Sequence, residues 1–150
     1  MAVPYSSQNA AQAPFLKTVR ELVRTYQAFA SYSEAYVRQY QLTPAQFDVI
    51  ATLGNTQGMA MGDIGDKTLI TKGTLTGIVD RLIKKGLVTR TVPPDNRRTV
   101  RVQLTAEGEA LFQKAFPAHI ADMKQYFDSL DPSELELLRV LLQRLRQAFP

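Results

Sequence analysis

From Phe15 onward, Val19, Leu22, Val23, Tyr26, Phe29, Ala30, Val37 and Tyr40 recur at steps of three and four. That spacing predicts one long amphipathic helix, and no internal Gly or Pro breaks it. Residues 1–13 show no such period and are expected to form a flexible tail. Thr43-Pro44-Ala45-Gln46 restarts the chain. Thr43 is placed to cap a helix, Pro44 suits its first position, and Gln46 completes a capping box. Phe47, Ile50 and Leu53 carry a short helix that Gly54-Asn55 closes. Gly58 to Gly62 is expected as a loop.

Asp63 to Leu69 predicts a further short helix with Ile64 inward. Thr71 is expected to cap the next, whose apolar positions are Leu75, Ile78, Val79, Leu82 and Ile83, and which stops at Gly86. The pattern then changes from helical to alternating. Residues 87–92 and 99–104 read as two strands around the turn Pro93-Pro94-Asp95-Asn96-Arg97-Arg98, a β-hairpin with a charged tip. Thr105 caps a long helix that Pro117 is expected to kink or interrupt. Asp131-Pro132-Ser133-Glu134 is a second capping box. It opens a closing helix on Leu135, Leu138, Leu141, Leu142 and Leu145. Those leucines spread over more than one face, more than a small domain can cover, and predict an obligate dimer through the chain ends.

Composition removes most alternatives. Hydrophobic residues make up 45% and charged residues 21%, which suits a globular chain and not a disordered one. The chain has no cysteine, which excludes disulfides, thiolate metal sites and thiol redox switches. The lone histidine, His119, has Asp122 three residues on, but no motif brings a serine to it, as a hydrolase triad requires. No glycine-rich loop has phosphate-binding spacing, and no acid or histidine cluster suggests a metal. Neither enzyme activity nor a cofactor is expected. The first fourteen residues lack the basic start and apolar run of a secretory signal, and no stretch has the length of a membrane span. A cytoplasmic location follows as an expectation.

Charge, by contrast, is concentrated. Between Lys67 and Arg101 nine Lys or Arg stand against two acids, so this window is +7 in a chain of net +4. A one-signed window of this kind is an electrostatic footprint for a polyanion. It coincides with the order helix, short helix, capped helix and β-hairpin, which is that of a winged helix-turn-helix. The fold expected is therefore mainly α with a small β-hairpin. A helix fits the major groove of B-DNA with its N-terminal turns toward base edges. In the stretch from Thr71 to Gly77, the residues around Leu75 are Thr71, Lys72, Gly73, Thr74 and Thr76, small or hydrogen-bonding groups suited to close approach. Arg81, Lys84 and Lys85 reach toward phosphates. Asn96, Arg97 and Arg98 put two guanidinium groups on a projecting tip, where a narrow minor groove attracts arginine.

TKGTLTGIVDRLIKKGLVTR, followed by DNRRTVRVQLTAEGEAL, resembles the MarR family of bacterial transcriptional regulators. Asp80-Arg81-Leu82 matches the ending of that family's recognition helix. Val102-Gln103-Leu104-Thr105-Ala106-Glu107-Gly108 matches the end of its wing. The resemblance implies a winged helix-turn-helix over residues 43–105, flanked by dimerisation helices in 14–42 and 106–150. It also implies a homodimer on a palindromic operator of double-stranded DNA, acting as a repressor. Arg97 and Arg98 would be minor-groove arginines, Thr71 through Thr76 would read bases or phosphates, and Asp80 would brace a wing arginine. Many family members carry a basic residue where Gly77 stands, so the resemblance carries no operator sequence with it.

Members of the family often bind phenolic or other aromatic anions beside the dimerisation helices, which makes a small aromatic effector the expected partner. Tyr26, Tyr32, Tyr36 and Tyr40 serve equally as core or dimer contacts, and nothing in the pattern selects which of them meets a ligand. Asp95 is read as a turn former, His119 as a half-buried helical histidine, and the four methionines as packing. The alternative is an effector-independent architectural or protein-interaction module on the same winged-helix frame. Salt-dependent binding to duplex DNA over single-stranded RNA separates DNA binding from the interaction module, and a broad screen with no stabilising compound would favour the architectural one.

Overall fold

The structure is a computed structural model that describes residues 3–68, 70–96 and 98–150. Two compact units divide the chain, Met1–Phe47 and Asp48–Pro150. In the first, a short 3₁₀ turn at Ala10–Gln12 precedes α1 (Leu16–Arg38). The expected tail therefore contains a turn, and Ala13 after it is buried. Val37 is buried near the end of α1, whereas Leu16, Val19, Leu22, Val23, Tyr26 and Phe29 stay exposed along it. Tyr32, Tyr36 and Tyr40 form a half-buried ladder of tilted rings with centroids 6.1 and 6.3 Å apart. α2 (Pro44–Leu53) crosses from one unit into the other. Its capping box forms as expected: Gln46 N–H donates to Thr43 Oγ1 and Thr43 N–H to Gln46 Oε1, each at 3.2 Å.

The second unit holds β1 (Met59–Ala60), α3 (Met61–Thr68), α4 (Lys72–Lys84), β2 (Val88–Thr91), β3 (Arg101–Leu104), α5 (Ala106–Phe127) and α6 (Pro132–Ala148). The three strands form an antiparallel sheet in the order β1-β3-β2. Val88 pairs with Leu104 and Thr91 with Arg101, which is the expected hairpin, its first strand shorter at both ends and its second at the start. β1 is a correction to the loop expected at 58–62. Met59 and Ala60 pair with Val102 and Arg101, partners too distant in sequence to leave a local pattern. α3 begins two residues earlier than the pattern suggested, and Leu69, its expected last residue, lies outside the described residues.

Ile50, Leu53, Ile64, Leu75, Val79, Leu82, Val88 and Val102 are fully buried and form the core of this unit. Burying each such side chain contributes about 1.5–3 kcal/mol. One local expectation changes. Ile83 is not inward but 36% exposed, because the buried stripe of α4 follows Leu75, Ile78, Val79 and Leu82. The end of α2 is as expected at Gly54-Asn55, with Asn55, at φ 58°, taking the left-handed conformation. Gly54 has a different job, since a Cβ there would overlap the Phe112 ring. Phe112 in turn stacks on Phe116 at 5.2 Å.

α5 runs unbroken through Pro117, so the expected interruption does not occur. Proline removes one backbone donor, and in a helix this long the turns on either side keep theirs. His119, two residues on, is buried. Burial pushes its imidazole below the ordinary range, while the Asp122 carboxylate works in the opposite direction. The folded chain thus favours neutral His119. Its contribution is complete above the ordinary imidazole value and is lost as pH falls from that value toward the depressed one. Thermal unfolding followed from about pH 7.5 to 5.5 is expected to show this loss in the wild type. His119→Gln should flatten the profile there, and an identical slope in both would assign the loss to other groups. α6 opens on its capping box: Asp131 Oδ1 accepts from Glu134 N–H at 2.9 Å, and Asp131 N–H donates to Glu134 Oε2 at 2.9 Å. Leu137, Leu138, Val140, Leu141, Leu142 and Leu145 remain exposed along α6.

Candidate nucleic-acid interface

α4 is pinned by its apolar stripe, so its opposite face must point away from the core. Thr71, Lys72, Gly73, Thr74 and Thr76 are all exposed at its N-terminal end. Thr71 is the residue before the helix, as the sequence implied, but its side chain does not cap the backbone. Its hydroxyl bonds instead to Thr74 Oγ1 at 3.1 Å. That leaves the first backbone N–H groups of α4 without the usual side-chain acceptor, at the positive end of the helix dipole. Thr76 Oγ1 donates to Lys72 O at 3.1 Å, and the exposed oxygen keeps its capacity to accept. A Cβ on Gly73 would meet nothing within 4 Å, and one on Gly77 only Arg81 Nη1 at 3.9 Å. Packing therefore does not require glycine at either place, although each weakens the helix.

Arg81 and Lys84 lie exposed farther along α4. Asp80, between the helix and the hairpin, receives Arg90 Nη2 at 2.6 Å. The braced arginine is thus within strand β2 rather than at the wing's tip. Both partners are partly exposed, so this pair orients the wing more than it stabilises the fold. At the tip, Asn96 Oδ1 accepts from Arg98 N–H at 3.2 Å, and Thr99 N–H donates to Asn96 O at 3.2 Å. Asn96 therefore shapes the turn, and Arg98 projects exposed beside it. Arg97 lies outside the described residues. Arg101, not singled out in the sequence, donates to Gly58 O at 3.1 Å and ties β3 to the segment ahead of β1. Only its place in the basic window hinted at it.

One exposed helix end rich in hydroxyl and small groups, beside a basic hairpin tied to that helix, defines a winged-helix DNA-binding regulator. Residues 42–100 match the MarR family. The HTH-type transcriptional regulator MhqR of Bacillus subtilis (strain 168) is 30% identical over 130 residues, covering 87% of this chain and 90% of that protein. BpsR of Bordetella bronchiseptica, whose DNA binding is regulated by 6-hydroxynicotinic acid, is similar in structure with a TM-score of 0.75 and 28% identity. It covers 87% of this chain and 98% of its own. NadR, solved in complex with 4-hydroxyphenylacetate, has a TM-score of 0.68 and 26% identity, with 99% of both chains covered. The chain belongs to the MarR family of transcriptional regulators. Among the described residues no helix is long and apolar enough to cross a membrane.

Proposed function

We propose that the chain is a cytoplasmic repressor that binds a palindromic operator as a homodimer and is released by a small aromatic acid. The observation that carries this reading is the tie between Asp80 and Arg90, which holds a basic wing in register with the exposed end of α4. Thr71, Lys72, Gly73, Thr74 and Thr76 face base edges, Arg81 and Lys84 reach phosphates, and Asn96, Arg97 and Arg98 enter the flanking minor groove. The unpartnered apolar faces of α1 and α6 supply the dimer contacts, each from its own unit. In this reading residues 43–105 form the DNA-binding part, and 14–42 with 106–150 the dimerisation part. Two subunits then set their recognition helices in successive major grooves, roughly 34 Å apart.

An aromatic acid is favoured as effector because BpsR responds to 6-hydroxynicotinic acid and NadR holds 4-hydroxyphenylacetate. Such a ligand releases DNA only through its different affinity for the two subunit spacings. The test is a mobility-shift titration on DNA upstream of the protein's own gene, with aromatic carboxylates added in turn. Arg98→Ala is expected to weaken binding to many sequences and to lower the salt slope by roughly one in each subunit. Thr74→Ala is expected to leave that slope unchanged and to relax discrimination at one base position by about 1–3 kcal/mol. If Arg98→Ala keeps full affinity and salt dependence, the wing does not touch DNA. If no aromatic acid weakens the complex, the effector-independent reading replaces this one.

A further inference from the structure

α4 ends where Gly86 takes φ 75°, a left-handed conformation that favours glycine. Gly86 N–H donates to Ile83 O at 2.9 Å and Leu87 N–H to Leu82 O at 3.0 Å, closing the helix. The next two carbonyls are taken up by the start of α5. Thr105 Oγ1 donates to Gly86 O at 2.6 Å, and Thr105 N–H to Leu87 O at 3.0 Å. The same hydroxyl accepts from Gly108 N–H at 3.0 Å, which is the cap of α5. Gly108 is buried, and a Cβ on it would overlap the Leu87 carbonyl, so the two backbones lie directly against each other. One hydroxyl thus joins the C-terminal cap of the recognition helix to the N-terminal cap of α5.

We infer that Thr105 is a positioning residue for the DNA interface, setting the angle between α4 and α5 and with it the half-site spacing the protein accepts. This rests on the reading that two subunits share one operator. The leverage is large. α5 has 22 residues, a length of about 33 Å, so a rotation of roughly 5° at its first turn moves its far end about 3 Å. That displacement is close to the rise of one base pair, about 3.4 Å. The left-handed backbone of Gly86 can absorb a small rotation there, and the Thr105 hydroxyl is the side-chain group that, beside the Thr105 N–H bond to Leu87 O, fixes the junction.

The experiment uses the full chain and duplexes selected from random sequence, with half-sites at the preferred spacing and one base pair longer or shorter. Thr105→Ser keeps both the donor and the acceptor. Thr105→Asp keeps the cap, since Asp is among the best cap residues, but an ionised carboxylate cannot donate to Gly86 O. Wild type and Thr105→Ser are expected to share one spacing preference. Thr105→Asp is expected to lose roughly fivefold of it, about one ordinary hydrogen bond. The added charge weakens all duplexes alike and cancels from the ratio. If Thr105→Asp does not fold, Thr105→Gly, a cap nearly as good, removes the hydroxyl without adding charge and is expected to lose the same preference. A folded variant lacking the hydroxyl donor that keeps the wild-type spacing preference overturns the inference. A wild type indifferent to spacing overturns the shared-operator reading first, and this one with it.

Discussion

Leu142→Arg is expected to cost a large share of the folding free energy of the proposed dimer, and what remains folded is expected to bind operator DNA roughly a hundredfold or more weakly, the scale lost when two linked binding events become one. Leu142 is 44% exposed in the single chain and stands on α6 with Leu138, Leu141 and Leu145, also exposed. In a subunit interface the arginine's charge would be buried without a partner, which is expensive. If the dimer is obligate, as proposed, the wild type should also unfold at a temperature that rises with protein concentration, and the variant at a lower temperature at every concentration. Sedimentation and mobility shift on the same samples decide the matter. A variant that remains dimeric and binds normally removes α6 from the interface.

Leu82→Ala is expected to lower folding stability by about 2–5 kcal/mol, as buried leucine truncations do. That is a large share of a typical domain's stability of about 5–15 kcal/mol. Leu82 is fully buried on α4, so the cavity falls under the helix that carries the candidate DNA contacts. The neighbouring Ile83→Ala should cost much less, because its side chain is 36% exposed. Urea unfolding of the two variants measures the phase of α4 directly. Equal losses would mean that the buried stripe has been misplaced, and with it the outward face bearing Thr74 and Thr76.

Asp80 and Arg90 show how the candidate site was divided between pattern and fold. Pattern alone expected a recognition helix and a basic wing, and the family resemblance added that Asp80 braces a wing arginine. The hairpin register, Arg90 opposite Val102, selected which arginine. Thr71 shows the reverse case, where a good cap residue stands at the right place but turns its hydroxyl to Thr74. Cap propensity is a local preference, and an equally local hydroxyl pair competes with it.

The helices, their order, both capping boxes and the basic window were determined by the sequence itself, because each rests on groups three or four residues apart. A helical period or a Thr43–Gln46 box needs no distant partner. Tertiary structure decided the rest. β1 exists only because Met59 and Ala60 find Val102 and Arg101 more than forty residues on. Gly54 is glycine because Phe112 arrives from α5, and Ile83 is turned out because the core takes Leu82 instead. Thr105 meets Gly86 only after the wing between them has folded back. Each of these is a close approach between segments far apart in the chain. Such an approach is set by packing and strand pairing, which no short window of sequence contains.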